Sequence, residues 1–295
     1  MRALVPPVVR QHPLLVYFLL AFGISWAAVL WVVAPTGIPG SGAAYVERGP
    51  LVFLAMLVGP SVAGLGLTAI LGGRLGLRDL WTRQRHWRIG PWWAAVLTTP
   101  VVLVLLGPLA LWSPDLILGL LATPDKSRLI GLALAVGLGA GLLEDLGWTG
   151  FALPRLEQRY SWFRAGPLLG VLWGLWHLLA DYWGNAAAWG PLYAPRYLLW
   201  CGASFTAYRI LIAWAYSHTR SLPLAQVMHA GFTGGQMLLT PALMPSASGL
   251  VWYAVFAAML WLIVGLVALV EGLRRTAPSP TPTYAHGSPR SLEAR

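Results

Sequence analysis

The sequence predicts an all-α, polytopic integral membrane protein, with about eight transmembrane helices enclosing a polar site. Three observations carry this reading. Of 295 residues, 57% are hydrophobic and only 10% are charged, where a soluble domain has about 25% charged residues; the mean hydropathy is +0.65. Apolar runs of about 20 residues, the length that crosses a bilayer as a helix, recur along the chain. The few ionisable residues inside those runs fall at roughly similar depth, which points to one shared polar region.

The first run, 14–33, ends in WVVAPTG without a signal-peptidase-like small-residue site, and further apolar runs follow it, so it reads as a span. The second run is 51–72. After it comes GGRLGLRDLWTRQRHWRIG, where Arg alternates with Leu and Trp in the manner of a short helix lying on a membrane surface. The third run is 91–112. The fourth, 129–146, is Gly-rich and ends on GLLEDLG, with Glu144 and Asp145 side by side. The fifth, 165–183, carries His177 and Asp181. The sixth, 197–216, carries Arg209 and Cys201; Cys201 is the one cysteine of the chain, so no disulfide framework exists. The seventh, 222–240, carries His229, and the eighth is 250–270. From Arg274 onward the chain is rich in Pro, Ser and Thr and reads as a disordered tail. The expected organisation is therefore one transmembrane domain over 1–273 and a cytoplasmic tail over 274–295, with no soluble second domain and no internal repeat.

A net charge of +10 invites a nucleic-acid reading, but its distribution argues for topology instead. With eight spans, both termini share a side. Loops on that side carry 15 of the 20 Lys and Arg; the opposite loops carry four, Arg48, Lys126, Arg128 and Arg196; and Arg209 lies within a span. Basic residues collect in cytoplasmic loops, so both termini are expected in the cytoplasm, and anionic lipid is the expected partner of the basic charge.

Ionisable groups within hydrocarbon are costly and usually face a protein interior or a wet cavity. The set here is Glu144, Asp145, His177, Asp181, Arg209 and His229. Counting along the alternating spans places the acids and both histidines between the cytoplasmic surface and the midplane. Each also has an ordinary reading. A membrane histidine can be a packing hydrogen bonder, an acid at a span end can reach the interface, and Asp181 with Arg209 reads as a structural ion pair between neighbouring helices.

Three segments in order shift the balance. EDLGWTGFALPRL resembles the first motif, E-E-x-x-x-R, of the CPBP intramembrane proteases, also called the Abi or CAAX amino-terminal protease family, which includes the type II CAAX prenyl endopeptidases. WGLWH, ending at His177, resembles the second motif, F-x-x-x-H. HAGFT, from His229 to Thr233, resembles the third, H-x-x-x-N. The family-like core covers about 120–270. The departures are Asp145 for the second glutamate, Thr149 for the arginine, Trp173 for the phenylalanine and Thr233 for the asparagine. Positions 145 and 149 are i and i+4 on a helix and face each other. A hydroxyl there can hydrogen-bond Asp145 but not neutralise it, which leaves the acid protonated, solvated or paired with a more distant cation such as Arg209 or Arg155.

The resemblance implies an intramembrane endopeptidase whose active site opens toward the cytoplasm or the lateral bilayer of a bacterial inner membrane. Its substrates would be hydrophobic or lipidated, membrane-anchored peptides. It implies Glu144 as general base on a water, helped by His177, with His229 and the position of Thr233 on the oxyanion side. Asp181, one turn from His177, is a candidate to fix that histidine's tautomer. The family is also commonly labelled metalloprotease, and a zinc ion held by Glu144, His177 and His229 is the alternative role for the same residues; no H-E-x-x-H pair supports it independently. Two other classes stay open: a non-catalytic relative that binds or regulates a partner, of the bacteriocin-immunity type, and a small proton-coupled transporter.

Overall fold

A computed structural model describes residues 5–87, 90, 118–119, 122–239 and 246–276. Among the described residues the regular structure is helical throughout. The elements are α1 (Pro7–Gln11), α2 (Pro13–Val33), α3 (Gly42–Gln84), α4 (Lys126–Gly147), α5 (Leu153–Leu156), α6 (Trp162–Trp189), α7 (Tyr193–Tyr197), α8 (Phe205–Thr219), α9 (Leu222–Leu239) and α10 (Ala247–Thr276). Two π-helical turns interrupt them, Trp148–Ala152 between α4 and α5 and Leu198–Ser204 between α7 and α8.

Five stretches are long and apolar enough to cross a membrane: Pro13–Thr36, Gly42–Gln84, Lys126–Leu156, Trp162–Thr219 and Ala247–Leu273. They absorb six of the eight expected spans, because Trp162–Thr219 contains both the fifth and the sixth. At 58 residues it would run about 87 Å as one straight helix; instead it turns at Gly190, whose φ is +48°, and α8 packs back along α6. The expected third span lies outside the described residues. The expected seventh forms as α9 but falls short of the apolarity of a span, since Gln226, His229, Thr233 and Gln236 punctuate it. The count of eight is therefore not established. Most of the expected tail also lies outside the described residues, and α10 runs to Thr276.

The strongest packing pairs are α9 on α4, α2 on α3, α8 on α6, and α3 on α4. With little hydrophobic drive between helices in lipid, close approach depends on small residues, and α4 shows why. A Cβ on Gly137 would collide with the carbonyl oxygen of Ala230, and one on Gly141 with that of Gln226. These two glycines, one turn apart, let the backbone of α9 lie directly against α4, which carries His229 to the acids at the end of α4.

α3 is two helices joined at Gly73, where φ is +56° and ψ −144°. Beyond that turn the Arg-rich segment expected to be a surface helix is indeed helical to Gln84. It is also tied to the bundle: Arg83 Nη1 donates to the Gly150 carbonyl at 3.0 Å and to the Tyr216 hydroxyl at 2.9 Å.

The α4–α9 contact gives the first prediction. Gly141→Leu should force α9 away from α4 and destabilise the fold by about 1–3 kcal/mol, the usual range for overpacking. Thermal unfolding in detergent checks this, and Gly131→Leu, at a position with open space around it, should leave stability nearly unchanged.

Candidate active site

Glu144 and Asp145 occupy the last turn of α4, with 3% and 0% of their surface exposed. Two carboxylates removed from water need partners, and each acid has a different set. Asp145 Oδ1 receives Arg209 Nη1 from α8 at 2.7 Å and the Thr149 hydroxyl at 2.6 Å. Its Oδ2 receives His229 Nδ1 from α9 at 3.0 Å. Glu144 Oε2 accepts from the indole Nε1 of Trp173, on α6, at 2.9 Å, and stands 3.8 Å from His229 Nε2. Three helices, α6, α8 and α9, thus converge on the end of α4, and one π-helical turn follows the acids, as such turns often do at functional sites.

The histidine between the two acids has a defined orientation. Asp145 is ion-paired with Arg209, so it acts as an acceptor and His229 Nδ1 must donate. That leaves Nε2 facing Glu144. The 3.8 Å gap is too long for a direct hydrogen bond and suits a bridging water.

Trp173 binds the arrangement from the side. Its ring lies 4.4 Å from the Arg209 guanidinium carbon, stacks on Phe205 at 4.3 Å, and meets His229 edge-on at 5.0 Å. The cation–π contact matters because Arg209 is fully buried and its Nε and Nη2 have no hydrogen-bond partner among the described residues.

His177 flanks the same indole but stands apart from the polar network. Its Nδ1 donates to the Trp173 carbonyl at 2.9 Å, and its ring sits against Trp176 and Phe205 at 4.7 and 4.8 Å. It makes no hydrogen bond to Glu144, Asp145 or His229. Thr233 stands one turn beyond His229 on α9, partly buried, without a bond to the cluster.

Two expected pairings are overturned. Asp181 neither orients His177 nor pairs with Arg209. It is bound by Arg196, with Nη1 at 2.7 and 3.0 Å and Nη2 at 3.0 Å, and by Asn185. The turn at Gly190 brings Arg196 back against α6, and a two-pronged guanidinium outcompetes an imidazole whose Nδ1 is already engaged. Arg196, read from the sequence as an external loop charge, is 4% exposed. Arg155, the other candidate cation for Asp145, bonds the Phe151 carbonyl and lies over the Phe151 ring.

Among the described residues no three His, Cys, Asp or Glu side chains cluster closely enough to hold a metal ion. Glu144, His177 and His229 as arranged do not meet around one zinc. The obstacle is their spacing and not the histidine nitrogens: Nδ1 of His229 is held by Asp145 and Nδ1 of His177 by a backbone carbonyl, which leaves Nε2 open on each.

Tyr17, on α2, packs against the end of α4 without a hydrogen bond to the site. It is fully buried, its hydroxyl occupies the space a Cβ on Gly147 would need, and its ring packs on Trp148 and Phe151. A tyrosine near the start of an apolar run carries no signal of such a role in sequence.

A helical membrane bundle with a buried acid–histidine–arginine site defines the class. Residues 126–234 match the family described as Rce1-like, type II CAAX prenyl endopeptidase Rce1-like. Over 105 residues the chain is also 31% identical to "CAAX prenyl protease 2" of Methanococcus maripaludis, covering 34% of this chain and 38% of that protein. The chain therefore spans well under half the length of that curated relative. The matched segment 126–234 contains all three motifs in the expected order, and Glu144, Asp145, His177, Arg209, His229 and Thr233 all lie within it.

The Asp145–Arg209 pair predicts a specific energetic pattern. Arg209→Met strands a buried carboxylate and should cost about 3–5 kcal/mol, whereas adding Asp145→Leu should recover much of the loss. Thermal unfolding of the two variants in detergent, beside wild type, measures both.

Proposed function

We propose that the chain is an intramembrane endopeptidase that hydrolyses peptide bonds in hydrophobic or lipidated, membrane-anchored peptides, with a water activated by Glu144. The observation that carries this reading is the geometry between Glu144 Oε2 and His229 Nε2. The two atoms are 3.8 Å apart, each in a side chain held by a separate partner, Trp173 for the glutamate and Asp145 for the histidine.

A water in that gap donates one proton to the Glu144 carboxylate and another to the His229 Nε2 lone pair, which directs the oxygen lone pairs outward at a scissile carbonyl. Glu144 takes the proton as the oxygen attacks. The second proton stays on the new hydroxyl of the tetrahedral intermediate, hydrogen-bonded to His229 Nε2. Glu144 then gives the proton it took to the departing amine as the C–N bond breaks. The product acid's proton passes to His229 Nε2, whose imidazolium is stabilised by Asp145 behind it, the role a buried carboxylate plays for a catalytic histidine. Arg209 keeps Asp145 ionised and acceptor-only, so the tautomer of His229 stays fixed. Thr149 supplies the second hydrogen bond to the same carboxylate oxygen. In place of the arginine that the first motif carries at 149, the charge comes across from α8. His177, whose Nε2 is open on the far side of the Trp173 indole, and Thr233, one turn beyond His229, make no bond to Glu144 or His229; in this reading their part is to contact the bound peptide, with Thr233 on the oxyanion side. The enzyme would sit in the cell membrane with both termini cytoplasmic, in keeping with the arginine bias.

Glu144→Gln keeps the shape and the acceptor for Trp173 while removing the base. Turnover of a hydrophobic or lipidated peptide panel by the purified protein should fall by about 10²- to 10⁴-fold, with the circular dichroism spectrum unchanged. Equal turnover in the variant would sink this assignment. No hydrolysis by wild type would move the chain to the partner-binding reading.

A further inference from the structure

At the arginine-rich end of the bundle lies a cavity of about 390 Å³ that is separate from the site at Glu144. Its walls come from the junction of α1 and α2, from α3 around its turn at Gly73, and from α5 and the residues after it. The polar lining includes Gln11, His12, Arg83, Arg155, Gln158 and Arg159. Three expected spans end here: the first begins at the cavity, the second finishes at Gly72, and the fourth runs out through Arg155. Their convergence at one end follows from alternating crossings.

The charges of the lining are unbalanced. Three arginines face one carboxylate, Asp79. Asp79 is taken by Arg83, with Nη2 and Nε both at 3.0 Å. Arg155 is directed by the Phe151 carbonyl and ring, neither of which carries a charge. Arg159 is exposed and forms no ion pair among the described residues. Arg155 and Arg159 therefore line a concave space without an ion pair of their own, its one carboxylate being held by Arg83, while two glutamine amides offer further donors. Nothing in the chemistry at Glu144 uses them.

The rim is apolar in one direction. Pro13, Leu14 and Leu15 line the mouth, and Leu15 and Leu19, one turn apart on α2, are 55% and 65% exposed. A ligand that presents an anionic group to the arginines and hydrocarbon to the outer face of α2 matches both halves. We propose that this cavity binds the phosphate headgroup of an anionic phospholipid of the cytoplasmic leaflet, with its acyl chains along Leu15 and Leu19. The assignment is independent of whether Glu144 is a catalytic base.

The test uses the full purified chain in neutral detergent, titrated with phosphatidylglycerol, with phosphatidylcholine or with inorganic phosphate, and reads thermal unfolding. Phosphatidylglycerol should raise the Tm in a saturable way and phosphatidylcholine should not. Arg159→Glu, at an exposed and unpaired position, should weaken the apparent affinity for phosphatidylglycerol at least about fivefold, the scale of one basic contact at an anionic surface. Arg78→Glu makes the same change of net charge at an exposed residue outside the cavity and should retain the wild-type affinity. Equal losses in the two variants, or no loss in either, would overturn the site. An equal rise in Tm with inorganic phosphate at the same concentration would overturn the lipid as its occupant. Should Arg159→Glu fail to fold, Gln158→Glu places a carboxylate in the same lining and must weaken phosphatidylglycerol in the same way.

Discussion

The buried ion pair between Asp145 and Arg209 is the constraint on which the site depends. Both side chains are fully removed from solvent and their nearest atoms are 2.7 Å apart. Transfer of either charge alone into such surroundings would be prohibitive, and even a pair is favourable only with further hydrogen bonds and good geometry. The Thr149 hydroxyl, the His229 ring and the face of Trp173 supply them. Each of these partners comes with an element attached: the π-helical turn after α4, then α9, then α6. Satisfying one carboxylate thereby fixes how three other segments meet the end of α4.

The same constraint separates the roles of two adjacent acids. Asp145 spends its acceptors on a cation, a hydroxyl and a histidine. Glu144 accepts a single neutral donor, the Trp173 indole, and has capacity left for a water. Neighbouring carboxylates in different environments are a recurrent way to divide structural and proton-transfer work between similar groups. The second buried pair, Asp181–Arg196, closes the turn between α6 and α8. It holds in place the two helices that carry Trp173 and Arg209, without entering the site.

Much of this is legible in the amino-acid sequence. Apolar periodicity locates the helices of six spans, and the three motifs, ordered along separate spans, bring Glu144, Asp145 and His229 together. The choice of partner across helices is not legible there. Asp181 stands one turn from His177, which makes the histidine its natural neighbour, yet the cation folded back from α7 takes the acid. Arg209 is a candidate for either Asp181 or Asp145, and spacing along the chain does not rank contacts 28 and 64 residues away. Trp173 reads as a conservative aromatic replacement, whereas its indole N–H gives Glu144 a donor that a phenylalanine lacks. The weakness of the seventh span as a membrane crossing has the same origin as its importance: the polar residues that lower its apolarity include His229.

The central claim is that Asp145 is an ionised carboxylate inside the bundle, held by Arg209 and in turn holding His229. Infrared difference spectroscopy of the wild type against Asp145→Asn in bilayers at neutral pH addresses it directly. The account predicts that the substitution removes a carboxylate stretching band. Loss of a protonated carboxyl C=O band instead would contradict it, since a neutral Asp145 could neither pair with Arg209 nor fix the histidine.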